Sequence, residues 1–504
     1  MRHAATLRDV LDAHVAQQPE RTFLVAPETG RSLSYGELGR QARLLARWLR
    51  AAGLARGDRV ALFLDNGYQT ALLFLAAMIG GYVVTPLNLL AGRSQLAWVL
   101  QHCGCKVLFT QREHEPQLGE ALALARGAIE TVVIDPDAPQ LFREERLVPG
   151  GFEPVAAQDP ALLMYTSGTT GQPKGVLLTH ANLLAAARAV AAWHGLEPGD
   201  RCLSALPLYH INGQVIATVT PFVSGGSIIA PRRFSVSAWW DTVERHAPTW
   251  INLVPTIIAY LLNAADPKRT YRFPSVRFGR SASAALPPEH HRAFERTFGI
   301  PVIEAMGMTE TASVVFANPQ DPAKRRYGSP GLPCGCEARV VDPETGRALP
   351  DGAPGEICLR GPFVVAAYYK SPQQTAKAFD TEGWLRTGDL GCRDADGYYF
   401  ITGRLKELII KGGENIAPRE IDEALLKHPA VLEAAAVGIP HPDYGQDILA
   451  CVVTRPGARV TEAELRDFCA RELGHYKTPQ KFRFLPELPK GPSGKVQRLK
   501  LLDF

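Results

Sequence analysis

The chain has 504 residues, with 55 Lys and Arg against 51 Asp and Glu, and 46% of its residues are hydrophobic. It is too long for one ordinary domain and too apolar for wholesale disorder, and it shows neither a collagen-like nor a coiled-coil period. A formal charge of +4 on this length excludes a dedicated nucleic-acid coat. It leaves room for a small anionic ligand, which needs only a few local cations.

The first residues, MRHAATLRDVLDAH, carry Arg2 but no long apolar run and no small-residue cleavage site, so they do not read as a secretory signal. Ser34-Tyr35-Gly36-Glu37 has the spacing of a capping box, and Leu38, Leu45, Trp48 and Leu49 follow at helical intervals. Residues 59–64 form a short apolar run and predict a strand. Residues 66–92 contain no charge and are long enough to span a bilayer. Gly80-Gly81, Pro86, Gln69, Thr70 and Asn88 interrupt them, however, so the expectation is a buried helix over 68–79 and a strand over 82–87. Strands are expected at 106–110 and 131–135. Beyond an apolar stretch at 215–223 come a strand at 227–230, a helix at 237–246, a strand at 250–253 and a helix at 257–264. This alternation reads as a fold of α/β layers.

The character changes near residue 325. Short β-like runs, 355–360 and 397–402 among them, alternate with Gly/Pro turns and predict a β-rich subdomain over 325–403. From about 404 a compact α+β pattern follows, with helices at 418–427 and 461–473 and strands at 433–438, 448–454 and 481–485. The expected division is therefore 1–403 and 407–504, with the boundary near Gly403 to Lys406.

The nine cysteines include two CxC pairs, Cys103/Cys105 (beside His102) and Cys334/Cys336. Zinc knuckles space their cysteines by two or more residues, so free thiols in a reducing cytoplasm are expected instead.

The strongest local signal is Tyr165-Thr-Ser-Gly-Thr-Thr-Gly-Gln-Pro-Lys-Gly175, which follows a strand expected at 161–164. Thr166, Ser167, Thr169 and Thr170 offer hydroxyls. Gly168 and Gly171 let backbone N–H groups approach an anion, and Lys174 adds a positive charge. These are the parts needed to hold a polyphosphate. The run is not a Walker loop, because Lys174 lies between Pro173 and Gly175.

This run resembles the phosphate-binding signature of the adenylate-forming, or AMP-binding, superfamily: acyl-CoA synthetases, adenylation domains of peptide synthetases, and beetle luciferases. Five further signatures of that family occur in order, and together they cover about residues 35–500. Leu206-Pro-Leu-Tyr-His-Ile-Asn-Gly213 is similar to the second, which implies that His210 lies beside the carboxylate substrate. Glu304-Ala-Met-Gly-Met-Thr-Glu-Thr311 is similar to the third, with Thr309 implied at the α-phosphate and Glu310 as the magnesium ligand. Trp384-Leu-Arg-Thr-Gly-Asp389 implies Asp389 as the ribose ligand. Gly403-Arg-Leu-Lys-Glu-Leu408 implies Arg404 as a nucleotide contact and Lys406 as the hinge, within 404–406. Lys490-Gly-Pro-Ser-Gly-Lys-Val-Gln-Arg498 implies Lys495 as the catalytic lysine.

The resemblance implies ATP and AMP, Mg²⁺ and coenzyme A as cofactors and co-substrates. It implies a large N-terminal domain of α/β layers with a β-rich subdomain, and a small mobile α+β C-terminal domain. It places Ser283, Ala284, Met306, Gly307 and Met308 at the nucleotide, Lys411, Gly412 and Gly413 on the face used with CoA, and Thr170 with Glu310 at the metal. His210, Asn212, Val215, Ser281, Ala282, Ser283 and Met306 become the acid pocket. Relatives usually carry Tyr where Met306 stands, and a Ser-Gly-Ala-Ala-Pro-Leu wording where this chain has Ser281-Ala-Ser-Ala-Ala-Leu286. The wording here is closest to the oxalate-CoA and carnitine-CoA ligase branches.

The implied activity is AMP-forming ligation of a carboxylic acid to CoA. The mix of small and polar pocket residues points to a short or compact acid, with Asn212 and Ser283 meeting a second polar function. The alternatives are a medium- or long-chain fatty acyl-CoA synthetase, an adenylating enzyme that serves a carrier protein or oxygen, and a non-catalytic nucleotide binder. The last would be expected to lack Lys495, Glu310 or Asp389, and all three are present. A chain ending at Phe504 without a carrier domain or a Ser-Lys-Leu tail favours free CoA. A homodimer and a cytoplasmic location complete the expectations.

Overall fold

A computed structural model describes residues 4–125, 127–142, 150–166, 173–491 and 495–504. The helix expected after Ser34 spans Tyr35–Ala51. Ser34 Oγ accepts from the Glu37 amide at 3.2 Å. The Glu37 carboxylate turns instead to Arg40 and Gln41, so only half of the capping box forms. The uncharged run becomes helix Tyr68–Ile79, buried at every position, and strand Val83–Pro86. A helix apolar all round has no preferred face; it is covered on all sides by protein. Among the described residues, no helix is long and apolar enough to cross a membrane.

Two large sheets carry the N-terminal part. One has six strands in the order Glu130–Val133, Val107–Thr110, Arg59–Phe63, Val83–Pro86, Pro160–Thr166, Lys174–Thr179. It is parallel until its last pair, an antiparallel hairpin with Thr166 opposite Lys174. The other has nine strands, and its parallel centre runs Val302–Met306, Phe278–Ser281, Trp250–Leu253, Arg201–Leu203, Ser227–Ile229, Thr22–Ala26. Buried helices lie between and around these sheets, and their apolar strands are covered on both faces. The stretch 215–223 differs from a plain apolar run. It is π-helix Asn212–Val219 continued by helix Thr220–Ser224. Eight residues buried on every side carry no periodicity from which the wider turn could be read.

The β-rich subdomain is a four-stranded antiparallel sheet, Glu337–Val341, Gly355–Arg360, Leu385–Arg393 and Tyr399–Arg404. Immediately after it, the short turn Leu405–Glu407 leads into a separate five-stranded sheet. That sheet, with helices Pro418–Leu426 and Glu462–Leu473, makes the small C-terminal domain around its own core of Ile409, Ile421, Leu425, Ile448 and Leu465. All nine cysteines are free thiols. Among the described residues, no three His, Cys, Asp or Glu side chains gather as a metal cluster.

Candidate active site

The C-terminal ends of the central strands open onto a cavity of about 1020 Å³ between the two domains. Ligands of open α/β sheets collect at such strand ends. The walls bring together Thr166 and Lys174 from the hairpin, His210 and Ser283 from the nine-stranded sheet's side, Gly307, Met308, Thr309 and Glu310, then Arg404 and Lys406, and Lys495 from the C-terminal domain. Residues Ser167, Gly168, Thr169, Thr170 and Gly171 lie outside the described residues.

The 307–313 turn is built by backbone necessity. A Cβ on Gly307 would stand 2.1 Å from the Ser313 carbonyl oxygen, so only glycine fits. Ala312 and Ser313 follow at φ 48° and 76°, both left-handed. The turn brings Thr309 and Glu310 to the cavity edge. There the Tyr368 hydroxyl donates to Glu310 Oε1 at 2.8 Å, and Lys174 Nζ lies 4.6 Å above the Tyr368 ring. Burial lowers the Lys174 pKa and Glu310 opposes that shift. Tyr368 is a site residue that the sequence reading missed, 58 positions from the side chain it orients.

Asp389 and Arg404 face each other across neighbouring antiparallel strands. Arg404 Nε donates to Asp389 Oδ1 at 2.7 Å. Asp389 is 3% exposed, and its Oδ2 is buried without a partner among the described residues. An orphaned carboxylate oxygen is costly unless a donor arrives, and a ribose hydroxyl is such a donor. Asp389 and Ala284 line a second cavity of about 270 Å³, which shares Arg404 and Lys495 with the first.

Lys495 sits where these groups converge. Burial and Arg404 lower its pKa, while Asp389 and Glu407 raise it, and the net direction is down. His210 is pushed down to about 4 by burial, so it is neutral at pH 7. Its Nδ1 accepts from the Asn212 amide at 3.3 Å, which leaves the proton on Nε2.

Several expected residues stand apart from the walls. Asn212, Val215, Ser281 and Ala282 are buried and do not line the cavity. Met306 ends its strand packed toward Val315 and Phe316. Lys411, Gly412 and Gly413 lie in the hairpin of Ile409–Lys411 and Glu414–Ile416, away from the cavity. Lys411 Nζ donates to Asp447 Oδ1 at 2.8 Å and to the Tyr476 carbonyl at 3.2 Å.

The AMP-binding enzyme family model matches residues 11–369, and the AMP-binding enzyme C-terminal domain model matches 420–495. The chain belongs to the AMP-binding enzyme family. It is 55% identical to a sulfoacetate–CoA ligase of Cupriavidus necator over 501 residues, 99% of this chain and 97% of that one. It is 34% identical to an oxalate–CoA ligase of Arabidopsis thaliana over 90% of both chains. Among solved structures, ATP-bound MatB from Rhodopseudomonas palustris superposes with a TM-score of 0.90 at 32% identity, covering 99% of this chain and 98% of that one. The o-succinylbenzoate CoA synthetase of Bacillus subtilis, in complex with its acyl-adenylate intermediate, gives 0.87 at 31%, covering 98% of each. The member described here is an AMP-forming carboxylate–CoA ligase, an acid–thiol ligase that works with ATP, Mg²⁺ and CoA.

Proposed function

We propose that this ligase activates a short or compact acid carrying a second anionic or strongly polar group, and that its residues work as follows. The observation that carries the reading is the convergence of Lys495, Lys174, Glu310, His210 and Ser283 on one cavity. The sulfoacetate–CoA and oxalate–CoA ligases among its relatives act, by their names, on acids of that kind.

A carboxylate attacks a polyphosphate poorly because both are anions. Lys495 places a cation between the attacking oxygen and the α-phosphate, and Thr309 donates to that phosphate. Lys174 and residues 167–171 hold the outgoing phosphates. Asp389 takes the ribose through its free Oδ2, and Arg404 fixes the carboxylate's orientation. Ala284, Gly307 and Met308 bound the base, whereas Met306, expected there too, packs toward Val315 and Phe316. Glu310, with Thr170, would hold the magnesium ion, whose charge when bound offsets that of the leaving pyrophosphate. Neutral His210 offers an Nε2–H donor to the acid without attracting the polyphosphate as a cation would. Asn212, Val215, Ser281, Ala282 and Ser283 shape the acid's seat.

The thioester step needs a different arrangement, since Lys495 has no task in it. Domain 407–504 turns about Lys406, within the hinge 404–406, withdrawing Lys495 and presenting Lys411, Gly412 and Gly413 to CoA. The family resemblance also carries a homodimer and a cytoplasmic location; the free thiols support the latter. Light scattering of the purified enzyme tests the dimer.

A panel of acids in a coupled AMP-release assay tests the substrate. The highest kcat/KM is expected for two- or three-carbon acids bearing a second anion. A best substrate among fatty acids of eight or more carbons would overturn it.

A further inference from the structure

Arg280 is a fully buried cation. It lies in strand Phe278–Ser281, is 1% exposed, and has thiols, Cys202 and Cys334, as its electrostatic neighbours. Among the described residues no carboxylate pairs with it. Its hydrogen bond runs from Nη1 to Asn212 Oδ1 at 3.4 Å, and its Nε is buried without a partner. Burial pulls its pKa to about 10, which still leaves it charged at neutral pH. An uncompensated buried cation is expensive.

The bonds beyond it all run one way. Arginine can only donate, so the Asn212 atom that faces it is the oxygen. Asn252 Nδ2 donates to the same oxygen at 3.1 Å. Asn212 Nδ2 is thereby turned outward, and it donates to Ser283 Oγ at 3.1 Å. Ser283 accepts that bond on its oxygen and keeps its own O–H to donate into the cavity it lines. Ser283 also stands at φ 76°, a left-handed conformation that non-glycine residues rarely adopt and that recurs at ligand clamps.

We propose that Arg280, acting through Asn212, makes Ser283 and the wall behind it a receptor for the second anionic group of the acid, so that Arg280 is the positioning residue that sets preference for short dianionic acids. This rests on the substrate reading above and deepens it. A dianion satisfies the outward-pointing donor and answers the charge behind it. A monoanionic acid of equal size leaves both unanswered, and such unpaired polar groups discriminate strongly.

The test is kcat/KM for sulfoacetate, malonate and propionate, by acid-dependent AMP release, in the wild type, R280M, R280K and S283A. The wild type should favour a dianion. R280M should cut the dianion-to-propionate ratio on the order of 100-fold, chiefly through KM, with R280K intermediate and S283A losing about 10-fold. An equal fall for all three acids in R280M would show a merely structural role and overturn the relay. Should R280M fail to fold, unchanged ratios in both R280K and S283A would overturn it equally. A wild type that prefers propionate to both dianions would instead overturn the substrate reading itself.

Discussion

Lys495 and Lys411 belong to the same small domain, yet their surroundings are opposite. Lys495 projects into the shared cavity beside Arg404 and Asp389, and its charge there answers to groups of the large domain. Lys411 is tied within its own domain to Asp447 and the Tyr476 carbonyl, with the half-exposed rings of Tyr444 and Tyr476 beside it. Lys495 lines the cavity, and Lys411 lies on a separate face of the same domain. The contrast is what the proposed domain movement needs: one module with two distinct lysine-bearing surfaces, of which Lys495's meets the cavity in this arrangement. This fits a reaction whose two steps have conflicting electrostatic needs.

The sharpest way to break the contrast is to remove the engaged cation. Lys495→Ala should lower acid-dependent pyrophosphate release by about 10³-fold or more, as loss of a charge aimed at a developing anion does. The protein should keep its melting temperature, because the lysine is not part of the C-terminal core. The lowered pKa of Lys495 adds a pH signature. Adenylation should fall on the alkaline side below the range of an ordinary lysine, as the ammonium loses its proton.

Next in size is Asp389, the proposed ribose ligand. Asp389→Ala removes the orphaned acceptor and strands Arg404, and it should raise KM for ATP by roughly 100-fold, at about 1–3 kcal/mol per buried polar group left unpaired. An unchanged KM would detach Asp389 from the nucleotide.

The proposed hinge gives the converse case. Lys406→Pro fixes a backbone angle within the turn Leu405–Glu407. It should spare adenylation within a few-fold and slow thioester formation by roughly 10–100-fold, as a block on domain movement does. Equal slowing of both steps in single-turnover measurements would place the movement elsewhere.

The smallest effect concerns stability. Burial raises Glu304 to about 7, and its Oε2 has no partner among the described residues. A carboxyl whose folded pKa is raised holds its proton better folded than unfolded. Its contribution is full at low pH and is lost as pH rises from its unfolded value toward 7. Glu304→Gln should therefore gain stability relative to wild type across that window, by at most a few kcal/mol. A constant difference from pH 4 to 8 in chemical denaturation would contradict this.

The alternation of strands and helices was legible because burial of both sheet faces leaves unmistakable apolar runs, as in Tyr68–Ile79 and Trp250–Leu253. Lys174, Asp389, Arg404 and Lys495 could be singled out because each lies in a short contiguous string, and the structure brings them to two adjoining cavities. What stayed hidden depends on meetings between distant positions. Tyr368 finds Glu310 from 58 residues away, and Arg280 finds Asn212 from 68. No local pattern encodes such a meeting. Nor did the sequence reveal that Met306 packs toward Val315 and Phe316, or that Asn212–Val219 winds as a π-helix, since an entirely buried segment has no exposed phase to read.

The central claim is that Lys495 serves the first half-reaction alone. The direct measurement supplies a synthetic acyl-adenylate and CoA to Lys495→Ala and follows thioester formation. Thioester should form within a few-fold of the wild-type rate while adenylation from ATP is lost. Comparable loss of both half-reactions would contradict the account, because the lysine would then be needed in both arrangements and the two faces would have no separate roles.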